Sequence, residues 1–346
     1  MKKEYDFVYL TNTPSFYKLN LCNEIAKEHN LLLVLYGYGD EAVNTELTGS
    51  EDFHFDYYFL NVGNSNNRSK AKTFIGLLRL MRSIQYRKVI YAGWFAIEYD
   101  LFAFLSSKKR NVMVCESSIF DVSMKGISGQ IKKLLINRMS AVLPSGLPHA
   151  QLFDAIGFKG IKHITGSVGI FNKPPRKEKI IHKPLRYIYV GRLVAVKNID
   201  LLIEEFNRNG KPLTIVGSGV LENELKSKAN NNISFYGFIK NEQLGAVYQS
   251  HDVFILPSYY EPWGLVVEEA LYWGLPVIAS DHVGSHIDMV RNLETGCIFK
   301  SNDPNRLHEA INQIEANYDK YYANVQRIDW RQRDREQIKA YTTLLG

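Results

Sequence analysis

The chain has 346 residues, 45% hydrophobic and 23% charged. This ordinary globular usage excludes a disordered, collagenous or fibrous protein and leaves room for two domains. Lys and Arg exceed Asp and Glu by six, and nearly all of that excess lies before Phe171. No apolar run approaches the roughly 20 residues of a membrane-spanning helix. The acid-interrupted start MKKEYDFVYL lacks the apolar stretch of a secretory leader. Cys22, Cys115 and Cys297 are too scattered for a disulfide framework, so a cytosolic location is expected.

In chain order, Tyr5–Leu10 reads as a buried strand, and Phe16–His29 as a helix with Phe16, Leu19, Ile25 and Ala26 at near-helical spacing. Leu31–Tyr36, Val89–Tyr91 and Val112–Cys115 read as further strands. Apolar runs separated by helix-length segments indicate parallel strands with crossover helices. Asn172–Pro184 carries three prolines and five basic residues and reads as a linker. The pattern then restarts, with strands at Arg186–Val190, Leu213–Val216, Ile233–Tyr236, Val253–Leu256 and Pro276–Ala279. Helices fall between them at Asn198–Arg208, after Gly219, from Glu242 and at Leu265–Trp273. Asp329–Leu345 reads as one amphipathic helix. The expectation is two doubly wound α/β domains, 1–171 and 186–328, joined by a 172–185 linker and completed by a 329–346 helix that returns to the first domain. Ligands of such folds bind at the carboxyl ends of the strands, here in a cleft between the two sheets.

The densest chemical signal is Pro257–Ala270, PSYYEPWGLVVEEA. Glu261 falls in a loop after a strand, Trp263, Gly264 and Leu265 open a helix, and Glu269 lies within it. Free amides and the helix dipole make such a start an anion site. Flanking carboxylates suit a ligand that carries hydroxyls as well as phosphate, and the alternative is a helix start with two solvated glutamates. Gly191-Arg192 ends another strand, with Lys197 five residues on, a pair able to neutralise a diphosphate or to sit as ordinary surface charge. Gly217-Ser218-Gly219 follows a third strand, but the last glycine of a dinucleotide fingerprint is missing.

Taken together, the run from Tyr187 to Phe299 resembles the donor domain of the family 4 retaining glycosyltransferases, of GT-B architecture. The resemblance rests on YVGRLVAVKNIDLLIEEF, IVGSGVLENEL, FYGFIKNEQLGAVYQSHDVFILPSYYEPWGLVVEEALYWGLPVIAS and VGSHIDMVRNLETGCIF. It implies that Arg192 and Lys197 bind the donor diphosphate, that Glu261 and the following loop amides meet the transferred sugar, and that Glu269 holds the ribose. Phe238 and Ile239 would lie beside the base, with Gly191, Gly217 and Gly219 lining the donor. It implies no cofactor beyond a nucleoside diphosphate sugar and no metal, and the sequence has no DxD loop. His282 and His286 are four apart, but Gly284-Ser285 between them argues against a zinc pair on one helix face.

In the first half, the Thr11–Tyr17 loop resembles the Pro-x-Phe-Tyr variant of bacterial polysaccharide enzymes, making Pro14 and Tyr17 acceptor-side candidates. Glu116 stands where many relatives carry a histidine near the reaction centre. Its alternative is a strand-end carboxylate capping a loop. Trp94 is a candidate acceptor platform or a packed aromatic. Between Asp56 and Glu98 there is no acid, while Arg68, Lys70, Lys72, Arg79, Arg82, Arg87 and Lys88 all occur. This basic stretch, interleaved with apolar residues, suggests an anionic membrane surface at 68–88 on the inner membrane face, with an ordinary amphipathic helix as the alternative. No nucleic-acid-binding module is recognisable.

The expected function is retaining transfer of a sugar from a nucleoside diphosphate to a glycan or lipid-linked glycan of a surface polysaccharide. A hydrolysing nucleotide-sugar epimerase and a non-catalytic sugar-nucleotide sensor share the architecture. A NAD-dependent dehydrogenase shares the strand pattern alone.

Overall fold

The computed structural model describes residues 2–37, 53–61, 67–94, 96–120, 122, 124–171 and 173–345. Asn172, the first residue of the expected linker, lies outside the described residues. The chain divides into two compact units, Met1–Asn172 with Arg331–Gly346, and Lys173–Trp330.

The first unit contains β1 (Glu4–Thr11), α1 (Phe16–Ala26), β2 (Leu31–Leu35), β3 (Asp56–Phe59), α2 (Lys70–Ser83), β4 (Gln85–Ala92), α3 (Ile97–Leu105), β5 (Asn111–Cys115), α4 (Gly126–Ile136), β6 (Ala141–Pro144), α5 (Leu147–Ile156) and β7 (Ile161–Lys162). Among the described residues the strands form one sheet in the order β3-β2-β1-β4-β5-β6-β7. Every pair is parallel, with Val8 of β1 opposite Leu32 on one side and Val89 on the other. β1, β2, β5 and β6 are apolar almost throughout because helices cover both faces. On one face Leu77 and Met81 of α2, Phe102 and Ala103 of α3, Leu135 and Ile136 of α4 and Phe153 of α5 share a core. On the other, Leu21, Cys22 and Ile25 of α1 meet Tyr341 and Leu344 from the end of the chain. The returning helix, α12 (Trp330–Thr342), is fastened there by Gln337, whose side-chain amide donates to the Ser167 carbonyl at 3.2 Å.

The second unit contains β8 (Tyr187–Val190), α6 (Ile199–Asn209), β9 (Leu213–Val216), α7 (Glu222–Lys228), β10 (Ile233–Gly237), α8 (Asn241–Gln249), β11 (Val253–Leu256), α9 (Leu265–Tyr272), β12 (Val277–Ser280), β13 (Gly296–Phe299), α10 (Pro304–Ala316) and α11 (Tyr318–Gln326). Its sheet is also parallel, in the order β10-β9-β8-β11-β12-β13. The chain winds outward from β8 in one direction through β9 and β10, then returns to begin β11 on the other side. The β8–β11 boundary is therefore the topological switch point, where flanking loops diverge and leave room for a ligand.

Residues 173–186 form neither helix nor strand, as their prolines require, but they do not hang free. The Arg176 guanidinium donates to the Tyr272 carbonyl at 2.7 Å. The buried Asp252 carboxylate accepts from the His182 and Arg186 backbone amides at 3.2 and 2.8 Å. The basic residues that mark this segment as solvent-loving in sequence thus strap it to the second unit.

The 68–88 stretch divides differently from its sequence reading. Only Lys70–Ser83 is helical, and Arg87 and Lys88 lie on β4. Leu77 and Met81 are core residues, and Phe74, Leu78, Leu80 and Ile84 pack against that core. Most of the apolar face offered to a membrane is therefore turned onto the sheet, with Ile75 left about half exposed. Arg68 is withdrawn as well: its guanidinium bonds the buried Glu98 carboxylate at 2.8 Å and stacks 4.3 Å over the Tyr36 ring.

Candidate active site

The strand-end loops of the second unit are tied to one another by backbone geometry. Gly191 N–H donates to the Val216 carbonyl at 3.0 Å, and Leu193 N–H to the Ser218 carbonyl at 2.9 Å. The loops after β8 and β9 thereby lie flat together. A Cβ at Gly217 would meet the Gly191 carbonyl oxygen at 1.9 Å, and one at Gly219 the Leu193 carbonyl oxygen at 2.3 Å. Gly217 also has φ +132°. The two glycines are explained by this close approach of two chains, before any ligand is considered.

Across the switch point, Tyr259 N–H donates to the Val196 carbonyl at 2.9 Å, and the Asn198 side-chain amide to the Pro257 carbonyl at 3.2 Å. The third tie is ionic: Lys197, after β8, pairs with Glu261, after β11. Both side chains are mostly buried, 12% and 15% exposed, so each charge depends on the other for compensation. Arg192, five residues before Lys197 on the same loop, is exposed, and its carbonyl accepts from the Tyr189 hydroxyl at 3.1 Å. Its guanidinium is available for a planar, bidentate contact with an anion. Glu261 is held in turn through its backbone: its N–H donates to the His282 carbonyl at 3.2 Å, and its carbonyl accepts from Gly284 N–H at 2.8 Å.

Helix α9 begins immediately beyond. Gly264 stands at its N-cap with φ +88°, a left-handed conformation that spares glycine the Cβ strain other residues would meet. Val267 N–H of the following turn donates to the Gly264 carbonyl at 2.8 Å, and the Leu265 and Val266 amides before it carry the positive end of the helix dipole. Trp263 does not face the ligand side with its ring. It is buried, and its indole N–H donates to Glu268, itself buried. Sequence reasoning took up Glu269 and passed over Glu268, whose role depends on a side-chain direction that spacing does not reveal. One residue on, Glu269 accepts from the Tyr248 hydroxyl at 3.1 Å. Burial pushes its carboxyl up to about 7, against the Tyr248 hydrogen bond and with help from the neighbouring Glu268. Phe238 is strongly exposed and Ile239 half-buried, just beyond β10. His282 and His286 serve separate partners: the first Nδ1 lies 2.9 Å from Asp281, the second 2.6 Å from the Val283 carbonyl. Among the described residues no group of three or more His, Cys, Asp or Glu could hold a metal ion.

In the first unit the switch point falls between β1 and β4, and the acceptor-side candidates lie at the carboxyl ends of β1, β4 and β5. The structure brings two of them together: the Tyr17 hydroxyl lies 3.3 Å from a Glu116 carboxylate oxygen. It adds Lys18, whose ammonium sits 5.4 Å from the Tyr17 ring centroid. Burial works to lower the Lys18 pKa, but Tyr17 and Glu116 outweigh it and hold the ammonium above its ordinary value. Pro14 is buried at the entry to α1. Trp94 is partly buried, packed against the sheet core with the Lys132 ammonium 5.7 Å from its ring.

Comparison with known proteins bears on the family and the fold. Residues 171–329 match the family model for glycosyl transferases group 1 and constitute a domain of that family. An uncharacterized glycosyltransferase of Methanocaldococcus jannaschii is 29% identical over 140 residues, 38% of this chain, and the chain covers only 36% of that relative's length. An uncharacterized 41.2 kDa protein of the Klebsiella pneumoniae cps region is 24% identical over 258 residues, 68% of this chain and 72% of the relative. Among solved structures, the lipopolysaccharide outer core galactosyltransferase WaaB superimposes with a TM-score of 0.71 at 15% identity, covering 97% of this chain and 99% of that one. Anabaena HepE in complex with UDP gives a TM-score of 0.71 at 18% identity, covering 99% and 100%. The segment 171–329 is thereby a glycosyl transferases group 1 domain, and the fold of the chain is GT-B.

Two outcomes follow from these contacts. Lys197→Met and Glu261→Gln should each lower unfolding free energy by about 1–3 kcal/mol, because each strands a mostly buried charge. The double variant should lose less than the sum of the two, as a denaturant double-mutant cycle would show; additive losses would mean that the pair is not coupled. The second concerns Glu269. The folded state holds its proton more tightly than the unfolded chain, so the stability it contributes is present below its ordinary value of 4.5 and falls as pH rises through about 7. Glu269→Gln keeps an acceptor for Tyr248 and removes that loss. Relative to wild type it should gain about 1–3 kcal/mol between about pH 5 and pH 8. Parallel stability curves would refute the buried, protonated Glu269.

Proposed function

We propose that this protein is a retaining glycosyltransferase that moves a sugar from a nucleoside diphosphate to a glycan or lipid-linked glycan acceptor in surface polysaccharide synthesis. The observation that carries the reading is the pairing of Lys197 with Glu261 across the switch point, with Arg192 exposed on the same loop as Lys197 and the N-terminus of α9 following Glu261. A strand-end crevice with two cations, free helix amides and two carboxylates suits one ligand that presents diphosphate, ribose and sugar hydroxyls together. The group 1 domain supports the transferase class, and the UDP-bound Anabaena neighbour supports a nucleotide-sugar donor. The cps-region relative and the lipopolysaccharide galactosyltransferase neighbour support a surface-polysaccharide setting.

In this reading Arg192 and Lys197 bind the diphosphate and stabilise its charge as the sugar C1–O bond breaks. Glu261 orients the sugar hydroxyls, and Glu269 holds the ribose. The acceptor hydroxyl attacks C1 from the face that the diphosphate leaves. The departing phosphate oxygen takes the acceptor proton, so configuration is kept without an enzymic nucleophile. The positive charge of Arg192 and Lys197 does the work that a metal ion would otherwise do. Glu116 and Tyr17, with Lys18 beside them, contact the acceptor.

A thermal-shift panel of UDP, GDP, ADP, CMP and NAD tests the reading. One nucleoside diphosphate should stabilise the protein by roughly 2.7 kcal/mol at about 100 times its dissociation constant. Arg192→Ala should weaken that binding by about tenfold or more through loss of a charge-assisted contact. A shift with NAD alone would overturn the assignment in favour of a dehydrogenase.

A further inference from the structure

Helices α3 and α4 carry apolar residues on both of their faces. The inward residues, Tyr99, Phe102 and Ala103 of α3 and Leu135 and Ile136 of α4, belong to the core over the sheet. The outward ones are apolar too. Along α3, Ile97, Leu101, Phe104 and Leu105 are 45–65% exposed. Along α4, Ile127, Ile131 and Leu134 are 58–82% exposed. Both sets follow the i, i+4, i+7 spacing of a continuous stripe. Helix α10 of the second unit shows the ordinary arrangement, turning Asn305, Arg306, Glu309 and Asn312 to solvent. Helix α2 packs beside α3, and α3 beside α4, in the layer on one face of the sheet, so the two stripes face outward side by side.

The surroundings of this patch are cationic. Lys72, Arg79 and Arg82 line the exposed side of α2, and Lys108, Lys109 and Arg110 follow directly on the end of α3. Among the described residues of α2, α3 and α4 the acids are Glu98, buried and paired with Arg68, and Asp100, partly buried. No exposed carboxylate therefore offsets the cations there.

We propose that the α3–α4 stripes with their basic flank are a docking surface for an anionic lipid bilayer, the apolar residues entering the interface and the cations meeting the headgroups. The charge decides the occupant. Two copies meeting through this face in a twofold pair would bring like cationic rims together, which is unfavourable. An anionic bilayer satisfies the apolar area and the charge together, and long Lys and Arg stems can cover apolar surface while their heads reach phosphate. The surface differs from the one read in the sequence. Within 68–88 only the cations of α2 contribute, and the apolar part comes from helices further along the chain. The inference stands apart from the donor chemistry, because bilayer binding needs no nucleotide.

Co-sedimentation of the full chain with vesicles of equal parts phosphatidylcholine and phosphatidylglycerol tests it, against vesicles of phosphatidylcholine alone. Wild type should bind the mixed vesicles in preference, more weakly as salt rises. The double variant Leu105→Asn, Ile131→Asn alters outward side chains only. It should keep its melting temperature and lose about tenfold or more in partition coefficient. Arg79→Glu with Arg82→Glu should lower binding at low salt. Absence of vesicle binding, equal binding to phosphatidylcholine alone, or undiminished binding by Leu105→Asn, Ile131→Asn would each overturn the proposal. A dimer seen by light scattering that this same variant dissolves would overturn it in favour of a self-interface.

Discussion

The pairing of Lys197 with Glu261 joins two strand ends that are neighbours in the sheet but 64 residues apart in the chain. The tie matters because β8 and β11 themselves share only a short register, Tyr187 opposite Val253 and Ile188 opposite Phe254. Beyond that register the two loops diverge, as the winding of the chain requires at a switch point. They are drawn together again by the ion pair, by Asn198 on Pro257 and by Tyr259 on Val196. Several other site residues of the second unit take their positions from these loops. Arg192 projects from the β8 loop, Gly264 and the α9 amides follow the β11 loop, and Gly217 and Gly219 press the β9 loop against the first.

The two carboxylates of the Glu261–Glu269 pair are placed in unlike environments. Glu261 has the Lys197 ammonium against it. Glu269 has a tyrosine hydroxyl and a second glutamate nearby, so burial favours its neutral form. A ligand that brings ribose hydroxyls to Glu269 adds donors to the one that Tyr248 supplies. A ligand that brings phosphate to Lys197 competes with Glu261 for the same ammonium. Donor binding would then redistribute charge already present in the site, as preorganised electrostatic catalysis requires.

Much of this was legible in the sequence. Buried parallel strands such as Leu31–Leu35 and Val253–Leu256 are continuous apolar runs, and the loops after them carry charged or glycine residues with no place in a core. What escaped the sequence has a physical reason in each case. Helices α3 and α4 are apolar on both faces, so the periodic contrast that marks an amphipathic helix is missing, and neither was expected. Strand β3, with Tyr57 and Tyr58 about half exposed at the sheet edge, lacks the apolar run of its neighbours. The apolar residues of α2 were read correctly as one face of a helix, but spacing does not say whether that face meets a sheet or a membrane. Lys18 gains its significance from Glu116, 98 positions away, a proximity that only the parallel pairing of β1, β4 and β5 creates. Trp263 and Glu268 likewise required side-chain directions. The glycines at 217 and 219 were visible, but their immediate cause, the contact with Gly191 and Leu193, was not.

The central claim is that the loops at the β8–β11 switch point hold the donor. Hydrogen–deuterium exchange of the full chain, with and without the nucleoside diphosphate that binds it best, tests this most directly. The account predicts slowed exchange concentrated in residues 191–197, 217–219 and 259–269. Slowed exchange that spares these segments while appearing elsewhere in the chain would contradict it.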